Sequence, residues 1–268
     1  MAAFSIHTPR IFLLLTGVLF ACQKVVQLPL QNTAPQLVIQ GEVTNAGGPY
    51  QVTITQSVDF YQANVFPSVS GASVFLKDST GDITDSLPET SPGIYSTRLF
   101  PRGVPGHTYT LRVTLAGQVY TSVSTMPYPV LLDSVTYEAA TLFNQSTINP
   151  IPNFQDPAGV ANYYQFVLFV NGVRVPDIFL FDDRLSDGRY ISEPIQTDTT
   201  DHIDAGDTLR LDLDCIDKNV YTYLSEVAGI TGANPQSSAP ANPQSNISGG
   251  CLGYFSAQTI SGKTTLVP

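Results

Sequence analysis

From Thr108 to Leu115 the chain alternates without a break. Tyr109, Leu111, Val113 and Leu115 fall on one side and Thr108, Thr110, Arg112 and Thr114 on the other. Gly103-Val-Pro-Gly106 precedes the run and Ala116-Gly117 follows it. A period of two places the apolar side chains on one face of a strand, and the Gly and Pro residues at its ends turn the chain back. The pattern recurs at Leu37, Ile39, Gly41 and Val43, at Val52 and Ile54, and again over Ser73–Lys77, Ile94–Arg98 and Val119–Thr125. About seven short strands at close spacing, with no helix-length segment between them, exclude βαβ units and predict an immunoglobulin- or transthyretin-like β-sandwich over 36–127.

Met126-Pro-Tyr-Pro129 marks the expected boundary, because two prolines flanking one residue cannot continue a central strand. A second β-rich domain is expected over 128–268. Leu132–Glu138 opens it. Asn144–Gly159, with Pro150, Pro152 and Pro157, reads as a loop. Tyr163–Val170 is a strong strand, and Asn171-Gly172 after it is the strongest short hairpin signal. Leu209, Leu211 and Leu213 alternate with Arg210, Asp212 and Asp214. One helix is predicted over about 218–228, capped by Asp217 and ending before Gly229. A long Pro-, Ala- and Ser-rich loop (231–250) carries Ala-Asn-Pro-Gln-Ser twice, and Leu252–Ile260 is the closing strand. The predicted class is all-β: two β-sandwich-like domains with one short helix.

The first residues read differently. Arg10 and the apolar run Ile11–Phe20 precede Leu19-Phe20-Ala21-Cys22. This is an export signal over 1–21 whose core is far shorter than the ~20 residues that span a bilayer. Leu, any residue, a small residue and Cys resemble the bacterial lipobox, which would make Cys22 the lipid-attachment site and the membrane a partner. Residues 22–35, with Pro29 and Pro35, read as a tether.

The chain has a formal net charge of -10 and only 13% charged residues. A polyanion is a poor partner for nucleic acid, which is held mainly by Lys and Arg. No G-x-S-x-G, H-E-x-x-H or P-loop is present. Beyond the signal the histidines are His107, expected solvated in a Gly-Pro turn, and His202 in an acidic loop. No catalytic residue and no cofactor is expected. Asp182, Asp183 and Asp187 form a crude oxygen-ligand loop for Ca²⁺ without the alternation or terminal Glu of an EF-hand, so a polar connecting turn is the alternative. Phe60, Tyr61 and Phe66 lie in an irregular stretch and are candidates for ligand contact or for packing beneath it. With Cys22 assigned to lipid, Cys215 and Cys251 could pair in an oxidising compartment, closing a loop of about 35 residues worth roughly 3–4 kcal/mol, or remain buried thiols.

Several motifs, in order, resemble a known family: Gln36-Leu-Val-Ile-Gln-Gly-Glu-Val-Thr44, Gly71-Ala-Ser-Val74, Ser91-Pro-Gly-Ile-Tyr95, Gly103-Val-Pro-Gly-His-Thr-Tyr-Thr-Leu111, Ser124-Thr-Met-Pro127, Pro240-Ala-Asn-Pro243 and Asn246-Ile-Ser-Gly-Gly-Cys-Leu-Gly-Tyr-Phe255. Together they look like the Bacteroidota lipoproteins catalogued as domain of unknown function 4249. The resemblance implies an outer-membrane lipoprotein, often in company with TonB-dependent receptors, with no established catalytic residues. Cys251 stands where the family pattern often has another small residue, so a bridge to Cys215 would be particular to this chain. The expected function is an accessory or binding component working with a TonB-dependent transporter. The alternatives are a surface adhesion or structural module and, behind it, a carbohydrate or peptide hydrolase.

Overall fold

The computed structural model describes residues 34–58, 65–98, 102–142, 145–197, 203–231 and 242–268. In chain order the first eight strands are β1 (Leu37–Thr44), β2 (Gln51–Gln56), β3 (Ser73–Asp78), β4 (Ile83–Leu87), β5 (Glu89–Ser91), β6 (Ile94–Ser96), β7 (Thr108–Leu115) and β8 (Gln118–Thr125). There follow β9 (Ser134–Leu142), β10 (Gln145–Gln155), β11 (Tyr163–Val170), β12 (Val173–Arg174), β13 (Phe179–Asp182), β14 (Tyr190–Ser192) and β15 (Thr208–Ile216). Helix α1 (Lys218–Thr231) precedes β16 (Ile247–Ser248) and β17 (Leu252–Leu266). The all-β class with one helix holds.

The strands form three sheets. The largest runs β12-β11-β15-β17-β1-β2-β6-β5, with β13 also pairing β11; a second runs β16-β8-β7-β3-β4, and a third β14-β10-β9. The long strand β17 joins the halves. Its first part lies parallel to β1, from Val38↔Leu252 to Thr44↔Gln258. Its second part lies antiparallel to β15, from Cys215↔Thr259 to Thr208↔Leu266. One core sits between the five-stranded sheet (Val74, Leu111, Val113) and the β1–β2–β17 region (Ile39, Ile54, Phe255). A second sits between the three-stranded sheet (Val135, Phe154, Ile191) and the β11–β15 region (Tyr164, Leu168, Leu211, Leu213). On the opposite face, α1 lays Val220, Tyr223 and Leu224 against Tyr163 and Tyr254.

Pro35–Pro268 accordingly form one compact unit, and the expected division at 127/128 does not separate the sheets. The first sandwich takes β16 and half of β17 from the far end of the chain. Met126 and Leu132, on either side of the expected linker, are both buried, in the first and second cores respectively. Asp217 ties the halves again. Its Oδ1 accepts the N–H groups of Asn219 (2.8 Å) and Val220 (3.0 Å), capping α1 as expected, while its Oδ2 accepts the Ser124 hydroxyl of β8. The helix runs past Gly229 to Thr231, three residues beyond its predicted end.

The turns follow the sequence closely. Ala116 (φ 49) and Gly117 (φ 83) close β7 on β8, and Asn171 (φ 50) and Gly172 (φ 82) close β11 on β12, both as two-residue turns with positive φ at each position. One expected loop is a strand: β10 contains Pro150 and Pro152. The Pro150 carbonyl accepts Ile195 N–H (2.9 Å) on the side away from β9. Its nitrogen points the same way, so the ladder from Gln145↔Leu142 to Asn153↔Ser134 loses no donor there.

Candidate functional site

Several places among the described residues combine concavity or burial with polar chemistry. The first is a mainly apolar cavity of about 120 Å³ at one end of the first sandwich, lined by Leu76, Ile83, Val104, Tyr50 and Tyr109 together with Asp78 and His107. Its size approaches the ~150 Å³ of an apolar cavity that takes up benzene. Asp78 ends β3. Its Oδ1 accepts the N–H groups of Thr80 (3.0 Å) and Gly81 (2.8 Å), and its Oδ2 meets His107 Nδ1 at 2.8 Å. Burial alone would raise the Asp78 carboxyl, but the bonds from Gly81, His107 and Thr80 outweigh it and hold it below its ordinary value. Tyr109 Oη accepts Val104 N–H (2.8 Å), and Tyr50 Oη accepts Gly103 N–H (2.9 Å) while donating to the Thr44 carbonyl (2.8 Å). Burial raises both phenols, which stay neutral. His107, expected to be solvated, is therefore a partly buried, oriented imidazole. Among the described residues the side-chain partner of its Nδ1 is the Asp78 carboxylate.

The second place is a polar groove on the outer face of the largest sheet, about 440 Å³, lined by Gln40, Glu42, Gln51, Thr53, Arg174 and Tyr254 among others. Tyr254 donates to Glu42 (2.9 Å). On the same sheet face lie two carboxylates that alternation had placed on a polar face of β15. Both are buried, Asp212 at 5% and Asp214 at 4% exposure. Asp212 takes a two-pronged contact from Arg210 (2.9 and 2.8 Å), whose guanidinium lies 5.3 Å over the Phe169 ring. Asp214 accepts only Gln258 Nε2 (3.0 Å), and its other oxygen has no partner. Burial, then the charges of Asp212 and Glu42, push the Asp214 carboxyl well above its ordinary value.

The third place corrects the predicted oxygen-ligand loop. Asp182 is not part of it: its carboxylate takes Arg184 (2.6 and 2.9 Å) and the Tyr221 hydroxyl (2.6 Å). A carboxylate from the supposed loop, Asp156, joins Asp183 and Asp187 instead, and oxygens of the three lie within 4.8 Å of one another. The turn 182–189 brings this about. Asp156 Oδ2 accepts Gly188 N–H (2.9 Å), Asp187 Oδ1 accepts Gly159 N–H (2.7 Å), and Asp183 Oδ2 accepts Asn162 N–H (2.8 Å). Tyr164 donates to Asp156 Oδ1 at 2.5 Å. No spacing rule finds Asp156, which stands 27 positions before Asp183 in a proline-rich stretch.

The predicted cysteine pair is also corrected. Cys215 and Cys251 are both free and buried, one in each core. Cys215 lies opposite Thr259, and Cys251 stands eight positions earlier on the same path, on the order of 25 Å away at about 3.3 Å per residue. A disulfide needs Cα atoms within about 7 Å. Burial raises both thiols, Cys251 to about 11. Phe66 is exposed, at 53%. Phe60, Tyr61, His202 and Cys22 lie outside the described residues, as does 232–241 of the Pro-, Ala- and Ser-rich loop.

Fold and sites define an all-β module of two sandwiches sharing one sheet, with an apolar cavity, a polar groove and an acidic cluster. The chain belongs to the family described as domain of unknown function (DUF4249), whose model matches residues 23–264. No curated protein matches the chain.

Proposed function

We propose that this protein is a non-catalytic binding lipoprotein of the bacterial envelope, held at the outer membrane by lipid on Cys22 and serving a TonB-dependent transporter as an accessory component. The observation that carries the reading is Leu19-Phe20-Ala21-Cys22 at the end of an apolar run, directly before residue 23, where the family match begins. The compact unit starts at Pro35. One acyl chain binds reversibly and two or more hold firmly, at about 0.8 kcal/mol per buried CH₂. The cavity lined in part by Asp78 and His107 and the groove beside Arg174 are concave surfaces that support a binding role. Affinity purification of the tagged full-length chain from cross-linked, detergent-solubilised envelopes tests the partnership. A large β-barrel receptor is expected in stoichiometric company. Recovery of this chain without any barrel, from membranes that contain it intact, contradicts the reading.

A further inference from the structure

We propose that Asp156, Asp183 and Asp187, with Asn162 and Ser186, form a calcium-binding site that ties the 156–162 loop to the 182–189 turn. Asp156 (1% exposed) and Asp183 (4%) are buried side by side, with Asp187 at the solvent edge. Among the described residues no Lys, Arg or His forms an ion pair with any of the three. Buried carboxylates are ordinarily paired with a cation or bound to a metal, because removing uncompensated charge from water is costly.

The second observation does not depend on the carboxylates. Two buried neutral oxygens in the same two segments have no hydrogen-bond partner, Asn162 Oδ1 and Ser186 Oγ. Ser186 itself is only 7% exposed. Asn162 stands opposite Asp183, one step beyond the Tyr163↔Asp182 pair, with Asp183 N–H donating to its carbonyl (3.3 Å). The Asn162 N–H in turn donates to Asp183 Oδ2 (2.8 Å), which holds the Asp183 carboxylate against the Asn162 backbone. Ser186 N–H donates to the Asp183 carbonyl (2.8 Å), which fixes Ser186 in the turn between Asp183 and Asp187. The unpartnered oxygens thus belong to the same two segments that carry the carboxylates.

The donor set is all oxygen, with no nitrogen or sulfur, which selects a hard cation. Ca²⁺ takes 6–8 oxygens at 2.3–2.6 Å, so ligands on opposite sides of the ion stand about 5 Å apart; the 4.8 Å limit on the carboxylate oxygens fits inside that. Their hydrogen bonds leave room for an ion. An ionised carboxylate has roughly four acceptor sites, and Asp183 and Asp187 each use one, Asp156 two.

The test uses the full-length chain in detergent, stripped with chelator. Tb³⁺ is the first probe. The chain has no Trp, and the Tyr164 hydroxyl on Asp156 puts a phenol at the site, so tyrosine-sensitised Tb³⁺ emission should saturate at one ion per chain and be displaced by Ca²⁺. Added Ca²⁺ should raise the thermal midpoint. Asp187→Asn, at the solvent edge, should weaken Ca²⁺ binding at least about tenfold, and because its amide oxygen can still accept the Gly159 N–H and one charge of the cluster is gone, it should not lower the midpoint in chelator. Asp183→Asn should abolish binding, and Asp182→Asn should leave it within about twofold. If Asp183→Asn does not fold, Asp187→Asn decides. The proposal is overturned by no saturable Ca²⁺ binding up to about 10 mM, beyond the weakest extracellular sites. Binding that survives Asp187→Asn unchanged, or a preference for Mg²⁺, overturns it equally.

Discussion

Replacing Gly253 with Ala strikes the point where the first and last strands meet. Gly253 lies opposite Ile39 in the parallel β1–β17 pair, at φ +96. A Cβ there would stand 2.0 Å from the Ile39 carbonyl oxygen and 2.8 Å from its carbon. Positive φ costs an L-residue about 1–2 kcal/mol. Ordinary C···O contact begins near 3.3 Å, so β1 and β17 must part by more than an ångström locally. Two ladder hydrogen bonds, at about 0.5–1.5 kcal/mol each, are then weakened or lost. The sum is about 2–5 kcal/mol, a large share of the ~5–15 kcal/mol that holds a folded protein together. Gly250→Ala is the control: φ is +83 there, but nothing lies within 4 Å of the new Cβ, so only the backbone cost of about 1–2 kcal/mol applies. Urea unfolding followed by circular dichroism and tyrosine fluorescence gives both values. Because β17 serves both cores, each variant should unfold in one transition, with Gly253→Ala the less stable. Equal stability of the two variants within about 0.5 kcal/mol, or separate transitions for the two halves, refutes the reasoning.

Asp214 and Asp78 should respond to pH in opposite ways. Asp214 is raised by burial and then by Asp212 and Glu42, so the folded state holds its proton more tightly than the unfolded chain. Its contribution is fully present below the unfolded value and lost as pH rises through the raised one. Asp214→Asn should therefore stabilise the protein at neutral pH and flatten the decline of stability above the acid range, measured as urea midpoints against pH. Asp78 is lowered, its hydrogen bonds overcoming burial; its contribution is present above the ordinary carboxylate value and lost as pH falls through the lowered one. Asp78→Asn should destabilise at neutral pH and remove part of the acid sensitivity. Because Cys215 and Cys251 are free thiols, reductant should leave the thermal midpoint unchanged, and thiol titration of the unfolded chain should find both reactive.

Local structure was legible in the sequence wherever one segment decided it. Asn171-Gly172 and Ala116-Gly117 specify their turns because both positions need positive φ, and Asp217 specifies the start of α1 because its carboxylate meets free N–H groups. What escaped was non-local. Nothing in Leu252–Leu266 says that half of it pairs with β1 and half with β15, so a two-domain division was the natural expectation. Pro150 and Pro152 argue against a strand unless the open side of that strand is known. Period-two alternation gave the face of Asp212 and Asp214 correctly but not their burial. The acidic cluster needed Asp156, whose distance from Asp183 is set by the β10–β14 pairing rather than by spacing.

The anchor at Cys22 is the proposal on which the functional account rests. Cells expressing the wild-type chain or Cys22→Ala can be labelled with radioactive palmitate, separated into membrane and soluble fractions, and probed for the chain. The account predicts label and membrane association for the wild type, with loss of label and release into the soluble fraction for Cys22→Ala. An unlabelled wild type, or a Cys22→Ala chain that stays with the membrane as the wild type does, contradicts it.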